Sequence, residues 1–371
     1  MKTIKFVDIR DYDTNTSTTA AHLTEALKRI RKNKLAADLI GDDEKSEGLK
    51  SSDPDGFADE LSAGVELTYR DKNRILERAR RLAERRATAS GTNHLKKEEV
   101  ARLAPVVAGI QLVMAKDEHW ADEVAAAIHD DMPWMAKASE YAWHGLRRAA
   151  QQHEAISLRP LILNGPAGIG KSVWARSLAK ALELPMADID ASKGGAGFSL
   201  VGVERGWSTA QAGRPLDIML AKRIGNPLVV VDEICKAASM SSTKGTFHSF
   251  ANGLLSLLEP VSSEAWECPY FRLQFNMSHI IWVLTANDVS RVPEPLRSRC
   301  QVIEIPDITS EQLQAFAVKR GGKMGLSQES VDAIVTAIIQ APIVTGRRIS
   351  LRDVVRMLER AEMLEGRPRV Q

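Results

Sequence analysis

The chain has 371 residues, 44% of them apolar, and a formal net charge of +2. That length accommodates two or three domains with a proper core, and the near-neutral balance sets up no whole-molecule field toward nucleic acid or membrane. Three widely spaced cysteines, Cys235, Cys268 and Cys300, with no CxxC pair and with scattered histidines, argue against a zinc centre or a disulfide scaffold. No stretch reads as a signal peptide or a membrane span, so a cytoplasmic location without a membrane partner is expected.

Residues 1–115 read as a charged, mostly helical N-terminal region. It is interrupted by "GDDEKSEGLKSSDPDG", Gly41 to Gly56, whose composition predicts a flexible linker. The following "ELTYRDKNRILERARRLAERRATAS" has helical periodicity, and from Arg70 to Lys97 ten Lys/Arg face three acids. Two readings stay open for this basic helix. It is a solvated face with Glu77 and Glu84 paired at helical spacing, or it tracks a phosphate backbone and makes nucleic acid a partner. Next, "MPWMAKASEYAWHGL" predicts a packed helix entering the following domain.

Residues 116–306 alternate short apolar runs with helical or loop segments. "RPLILNG", "PMADIDA", "NPLVVVDE", "HIIWVLTAN" and "CQVIEI" are five strand candidates, and their alternation with helices predicts a parallel sheet covered on both faces. The first strand breaks into Gly165, Pro166, Ala167, Gly168, Ile169, Gly170, Lys171 and Ser172, which fits G-x-x-x-x-G-K-[ST]. Gly168 and Gly170 let successive N–H groups turn toward an anion, and the helix N-terminus behind them adds its dipole. Lys171 would reach terminal phosphates and Ser172 would ligate Mg²⁺, so ATP with Mg²⁺ is the expected ligand. Asp232 ends an apolar strand and could share the metal, while Glu233 could polarise an attacking water. Asn287, after "HIIWVLTA", offers a neutral amide to the same water. Arg299 precedes the last strand on a turn that could face a neighbouring subunit. Residues 307–371 turn helical again, through "SEQLQAFAVKRG", "SQESVDAIVTAIIQA" and "SLRDVVRMLERAEML", and predict a small helical lid.

In this order the phosphate loop, "VVVDE", "LTAN", "LRSRC" and "TGRRISLRD" resemble the AAA+ ATPases. The stretch from about 160 to 306 is most similar to the ATPase module of Lon-type proteases, through "SKGG", "NPLVVVDEICK", "NGLLSLLEP" and "FRLQFNMSHIIWVLTAND". The resemblance implies a five-stranded α/β sheet of the ASCE P-loop type in the order 5-1-4-3-2, with a helical lid. It also implies a self-assembled ring, usually a hexamer, with active sites at subunit interfaces. Gly165 to Ser172 match Walker A, with Ala167 where Lon usually has Pro and Ser172 where it has Thr. Asp232 and Glu233 match Walker B, Asn287 matches sensor 1, and Arg299 matches the arginine finger. Either Arg348 or Arg352 matches sensor 2. The sequence ends soon after the lid with nothing resembling Lon's serine–lysine protease domain, so proteolysis is not expected of it. Trp207 falls where Lon carries the aromatic residue of a substrate-gripping loop; the competing expectation is an indole packed against a neighbouring helix. The functional expectation is a protein-remodelling or unfolding ATPase. The alternatives are a DNA-associated ATPase of the loader or mobile-element type, and a nucleotide-gated scaffold.

Overall fold

The computed structural model describes residues 2–9, 13, 15–43, 66–237, 250–345 and 349–366. They fall into two compact units, Ile9–Val100 and Met1–Asp8 with Ala101–Gln371. In the first unit, helix α1 (Thr16–Asp43) pairs with helix α2 (Tyr69–Ala89). Helix α2 starts at a capping box between Thr68 and Asp71, and it buries Ile75, Ala79 and Ala83. Arg31 reaches Asp71 at 2.8 Å, and Arg86 donates to the Asp13 carbonyl at 3.0 Å, so both helix ends are tied.

Two boundaries depart from the sequence reading. Gly41, Asp42 and Asp43 close helix α1 where a linker was expected, and the remainder of that linker lies outside the described residues. The first residues also leave the N-terminal region: Lys2–Ile4 pairs antiparallel with Ile110–Leu112, and Phe6 is buried against Phe275 with ring centroids 5.3 Å apart. Strand pairing and aromatic burial with the second unit override chain proximity.

The second unit is built on helices α3 (Glu118–Asp131) and α4 (Ala136–Gln151), followed by five parallel strands: β1 (Leu161–Asn164), β2 (Met186–Asp190), β3 (Leu228–Asp232), β4 (Ile281–Ala286) and β5 (Gln301–Glu304). Their order across the sheet is β5-β1-β4-β3-β2, as expected. The central strands are apolar without interruption because both faces are covered; every residue of β4 is buried. Helix α5 (Lys171–Ala181) follows β1 and buries Trp174, whose indole N–H donates to Ser139 Oγ on α4 at 3.0 Å. Three helices form the lid: α6 (Ser310–Met324), α7 (Gln328–Thr345) and α8 (Leu351–Glu365). Capping boxes at Thr309/Gln312 and Ser350/Asp353 start α6 and α8. Leu313, Ile338, Leu351 and Leu358 of the lid join one hydrophobic core with the sheet, and Trp134 meets Phe316 edge-on at 5.9 Å.

Among the described residues, no helix is long and apolar enough to cross a membrane. Cys235, Cys268 and Cys300 are free and buried.

Candidate nucleotide site

Residues 165–170 leave the carboxyl end of β1, between β5 and β4, and deliver the chain to the N-terminus of α5. Gly168 and Gly170 sit in the left-handed region at φ +82° and +93°. A Cβ at Gly168 would lie 3.3 Å from Ser350 Cβ, and one at Gly170 would lie 3.0 Å from Leu351, so the lid closes against glycine at both positions. A built Cβ at Gly165 would fall 2.5 Å from the Ile305 carbonyl, which makes glycine a packing requirement there too. The loop is tied from behind: the buried Trp134 indole N–H donates to the Ile169 carbonyl at 2.8 Å.

Lys171 is 6% exposed, and its ammonium donates to the carbonyls of Gly165 (2.6 Å) and Pro166 (2.8 Å) and to Asn287 Oδ1 (2.9 Å). Burial pulls its pKa below the usual lysine value, with Asp232 opposing the shift. A buried ammonium held by neutral oxygens, beside a loop whose glycines hold the backbone open, suits the phosphates of a nucleotide. Next to it Ser172 Oγ donates to Asp232 Oδ1 at 2.5 Å. A hydroxyl and a carboxylate in contact form an all-oxygen pair of the kind Mg²⁺ shares with phosphates. Among the described residues no group of three or more His, Cys, Asp or Glu could hold a metal by itself, so a cation here would need the nucleotide's oxygens as well.

Thr285, on β4, is the residue the sequence reading missed. Its hydroxyl donates to Asp232 Oδ1 at 2.6 Å and accepts from the Glu233 backbone N–H at 3.1 Å. One buried hydroxyl therefore sets the spacing between the Asp232 carboxylate and the residue after it. The signal was present in "LTAN", one position before the strand ends, but only the β4–β3 adjacency brings it to Asp232. Replacing Thr285 by Val is expected to leave the Glu233 N–H unpaired, cost about 1–3 kcal/mol of stability and slow ATP turnover about tenfold. Thermal unfolding alongside a phosphate-release assay reads both, and unchanged turnover in a destabilised variant would limit Thr285 to folding.

Glu233 occupies the left-handed region at φ +56°, and its carboxylate takes the Lys236 ammonium at 2.7 Å. Asn287 lies just past the end of β4 and meets Lys171 as above. Lys171, Ser172, Asp232, Glu233 and Asn287 thus converge on one cleft of about 770 Å³ at the carboxyl edge of the sheet. Arg352, at the start of α8, lines the same cleft, as do Arg176, Asp190 and Arg214. Arg348 lies outside the described residues. A second cleft of about 330 Å³ adjoins the first and shares Val173, Leu351 and Val355 with it; Met132 and Phe316 extend its apolar side, and Asp131, Lys319, Arg320 and Lys323 its charged side. At its rim Lys323 of α6 pairs with Asp131 of α3 at 2.8 Å and holds that carboxyl below its usual pKa.

Two expected site residues lie elsewhere. Arg299 does not line the cleft: its Nε donates to Glu259 Oε2 at 2.5 Å and its Nη1 to the Pro295 carbonyl at 2.9 Å. Trp207 is 71% exposed beside a small hairpin, Gly202–Val203 with Gln211–Ala212, so the expectation of an indole packed on a helix does not hold. The base of this loop is anchored by Arg205, which stacks 5.6 Å from the Tyr270 ring.

A phosphate loop after the first of five strands ordered 5-1-4-3-2, with an acidic strand end beside it, defines a P-loop nucleotide-binding fold. Residues 161–307 match the model of the ATPase family associated with various cellular activities (AAA), so this segment is similar to a AAA module. The chain is similar to the peroxisomal Lon protease homolog 2 of Zea mays, at 30% identity over 197 residues, covering 53% of this chain and 22% of that protein. It is 31% identical to the Lon protease of Helicobacter pylori over 157 residues, covering 42% of this chain and 18% of that protein. The mitochondrial Lon protease homolog of Yarrowia lipolytica is 30% identical over 186 residues, covering 48% of this chain and 16% of that protein. The chain therefore spans about a fifth of the length of these curated relatives.

Proposed function

We propose that the chain hydrolyses ATP with Mg²⁺ and couples hydrolysis to remodelling or unfolding of a protein, as a self-assembled ring. The observation that carries the reading is the cleft itself, where a buried lysine, a hydroxyl–carboxylate pair and a second carboxylate meet at the phosphate loop. When bound, Mg²⁺ supplies counter-charge to the phosphates. Lys171 would exchange its carbonyl contacts for phosphate oxygens, and Ser172 with Asp232 would hold the metal. Glu233 would accept a proton from the attacking water, and the Asn287 amide would orient that water. The second cleft would take the purine base against Val173 and Phe316, and Arg352 or Arg348 would read the phosphates. Because Arg299 is absent from its own chain's cleft, it would serve a neighbour's, which makes assembly a condition for turnover. Free, buried cysteines suit a reducing compartment such as the cytoplasm.

Trp207 supports the choice of protein as the substrate. A large exposed indole beside a hairpin gives sequence-independent purchase on an extended polypeptide. Trp207→Ala protein is expected to keep basal ATP turnover within about twofold and to lose its stimulation by a reduced, carboxymethylated protein. Steady-state phosphate release with and without that protein makes the comparison. Retained stimulation would remove Trp207 from substrate contact, and a parent enzyme insensitive to unfolded protein would sink the remodelling reading while leaving the ATPase intact.

A further inference from the structure

Helix α2 has a face that the nucleotide chemistry does not use. At 100° per residue, Arg70, Arg74, Arg78, Arg81 and Arg85 fall within an arc of about 80° and span about 22 Å of helix axis. Ile75, Ala79 and Ala83, the buried side, centre on the far side of the helix. All five arginines are exposed. Among the described residues only Arg81 has a carboxylate partner, Glu77 at 4.0 Å, a separation at which an exposed pair contributes little. Arg86, on the packed side, is instead consumed by the Asp13 carbonyl and Thr19. The fold thus sorts the seven arginines of α2: Arg86 fastens the helix pair, five are left in a row facing solvent, and the exposed Arg80 lies off that row.

We infer that this arginine face binds the phosphate backbone of a nucleic acid without reading its sequence. Regularly spaced guanidiniums along a straight rod match a ladder of phosphates, which each guanidinium can engage with two donors. The face has no apolar centre of the kind that anchors a protein partner: the exposed apolar residues Tyr69 and Leu76 lie well outside the arginine arc. The chain carries its own competing polyanion, since residues 44–65 hold Glu44, Glu47, Asp53, Asp55, Asp59 and Glu60 against Lys45 and Lys50. The test therefore uses the full chain. The inference rests on the Ile9–Val100 unit and is independent of the ATPase reading.

The experiment is fluorescence anisotropy with labelled duplex DNA of about 30 base pairs, and with a single strand of the same length, across a salt series. Five phosphate contacts predict a log–log salt slope near −4.5, so duplex affinity should fall about 500-fold between 50 and 200 mM salt. The variant Arg78→Gln/Arg81→Gln/Arg85→Gln should retain a slope near −1.8, or about a twelvefold fall over the same range, with helical circular dichroism and basal ATP turnover unchanged. Should that variant misfold, Arg70→Gln/Arg74→Gln should reduce the slope by about two. Binding of either nucleic-acid form with these losses supports the assignment. It is overturned if the full chain binds neither form, if the variants keep the parent slope, or if polyglutamate displaces DNA at equal charge.

Discussion

Glu233→Gln protein is expected to bind ATP as the parent does and to hydrolyse it about a hundredfold or more slowly, while Lys171→Ala protein should bind ATP about a hundredfold more weakly. The two differ because of when each side chain acts. The Lys171 ammonium is buried at the mouth of the loop and held by neutral oxygens, so it contributes to ground-state binding; its loss removes charge-assisted contacts of about 3 kcal/mol. Glu233 follows Asp232 with its backbone fixed by Thr285, and it would act on water only in the chemical step. Gln is the informative replacement because an unbranched side chain fits the left-handed backbone at φ +56° as Glu does, so a loss reports chemistry and not refolding. Equilibrium binding of a fluorescent ATP analogue and single-turnover phosphate release separate the two effects. Parent-rate hydrolysis by Glu233→Gln protein would falsify the base assignment.

Arg299→Ala protein should bind ATP with near-parent affinity and turn it over on the order of a thousandfold more slowly, the scale of an arginine finger. In this structure the guanidinium is held by Glu259 and the Pro295 carbonyl through Nε and Nη1, which leaves Nη2 without a partner among the described residues. Glu259 would therefore hold the guanidinium in place while Nη2 stays open to a neighbour's phosphate. The decisive form of the experiment is mixing. Neither Arg299→Ala nor Lys171→Ala protein alone should turn over ATP, yet a mixed assembly joins an intact cleft on one subunit to an intact finger on its neighbour. Recovered turnover that peaks at intermediate ratios is the expected result. If co-assembly is verified and no ratio recovers activity, Arg299 acts within its own chain or only in folding, and the shared-interface reading fails.

Much of the nucleotide-site architecture is legible in the sequence because its determinants are local. The strands β1, β3 and β4 open on apolar runs of three or four residues, and a run covered on both faces needs no knowledge of its neighbours to be read as a strand. The phosphate loop is equally local, since a positive φ at Gly168 and Gly170 is a property of those residues and the lysine follows at fixed spacing. The motif order carried the resemblance that the AAA match and the Lon relatives then supported.

Other features depend on contacts between residues far apart in the chain. Thr285 joins Asp232 across 53 positions, and no local pattern in "LTAN" says that β3 will lie beside β4. Arg299 meets Glu259 across 40 positions, so the sequence marks a finger but not what holds it. Residues 2–4 join the unit that carries the phosphate loop because a strand edge at Ile110–Leu112 offered hydrogen bonds that a charged N-terminal sequence does not advertise. The basic helix shows the division most plainly. By itself the sequence determined that a helix rich in arginine starts near residue 70, although it ends at Ala89 and not at Lys97 as the charge run suggested; which arginines fasten the helix and which face solvent was decided only when Ile75, Ala79 and Ala83 found α1, because burial of one apolar face orients every other side chain on the rod.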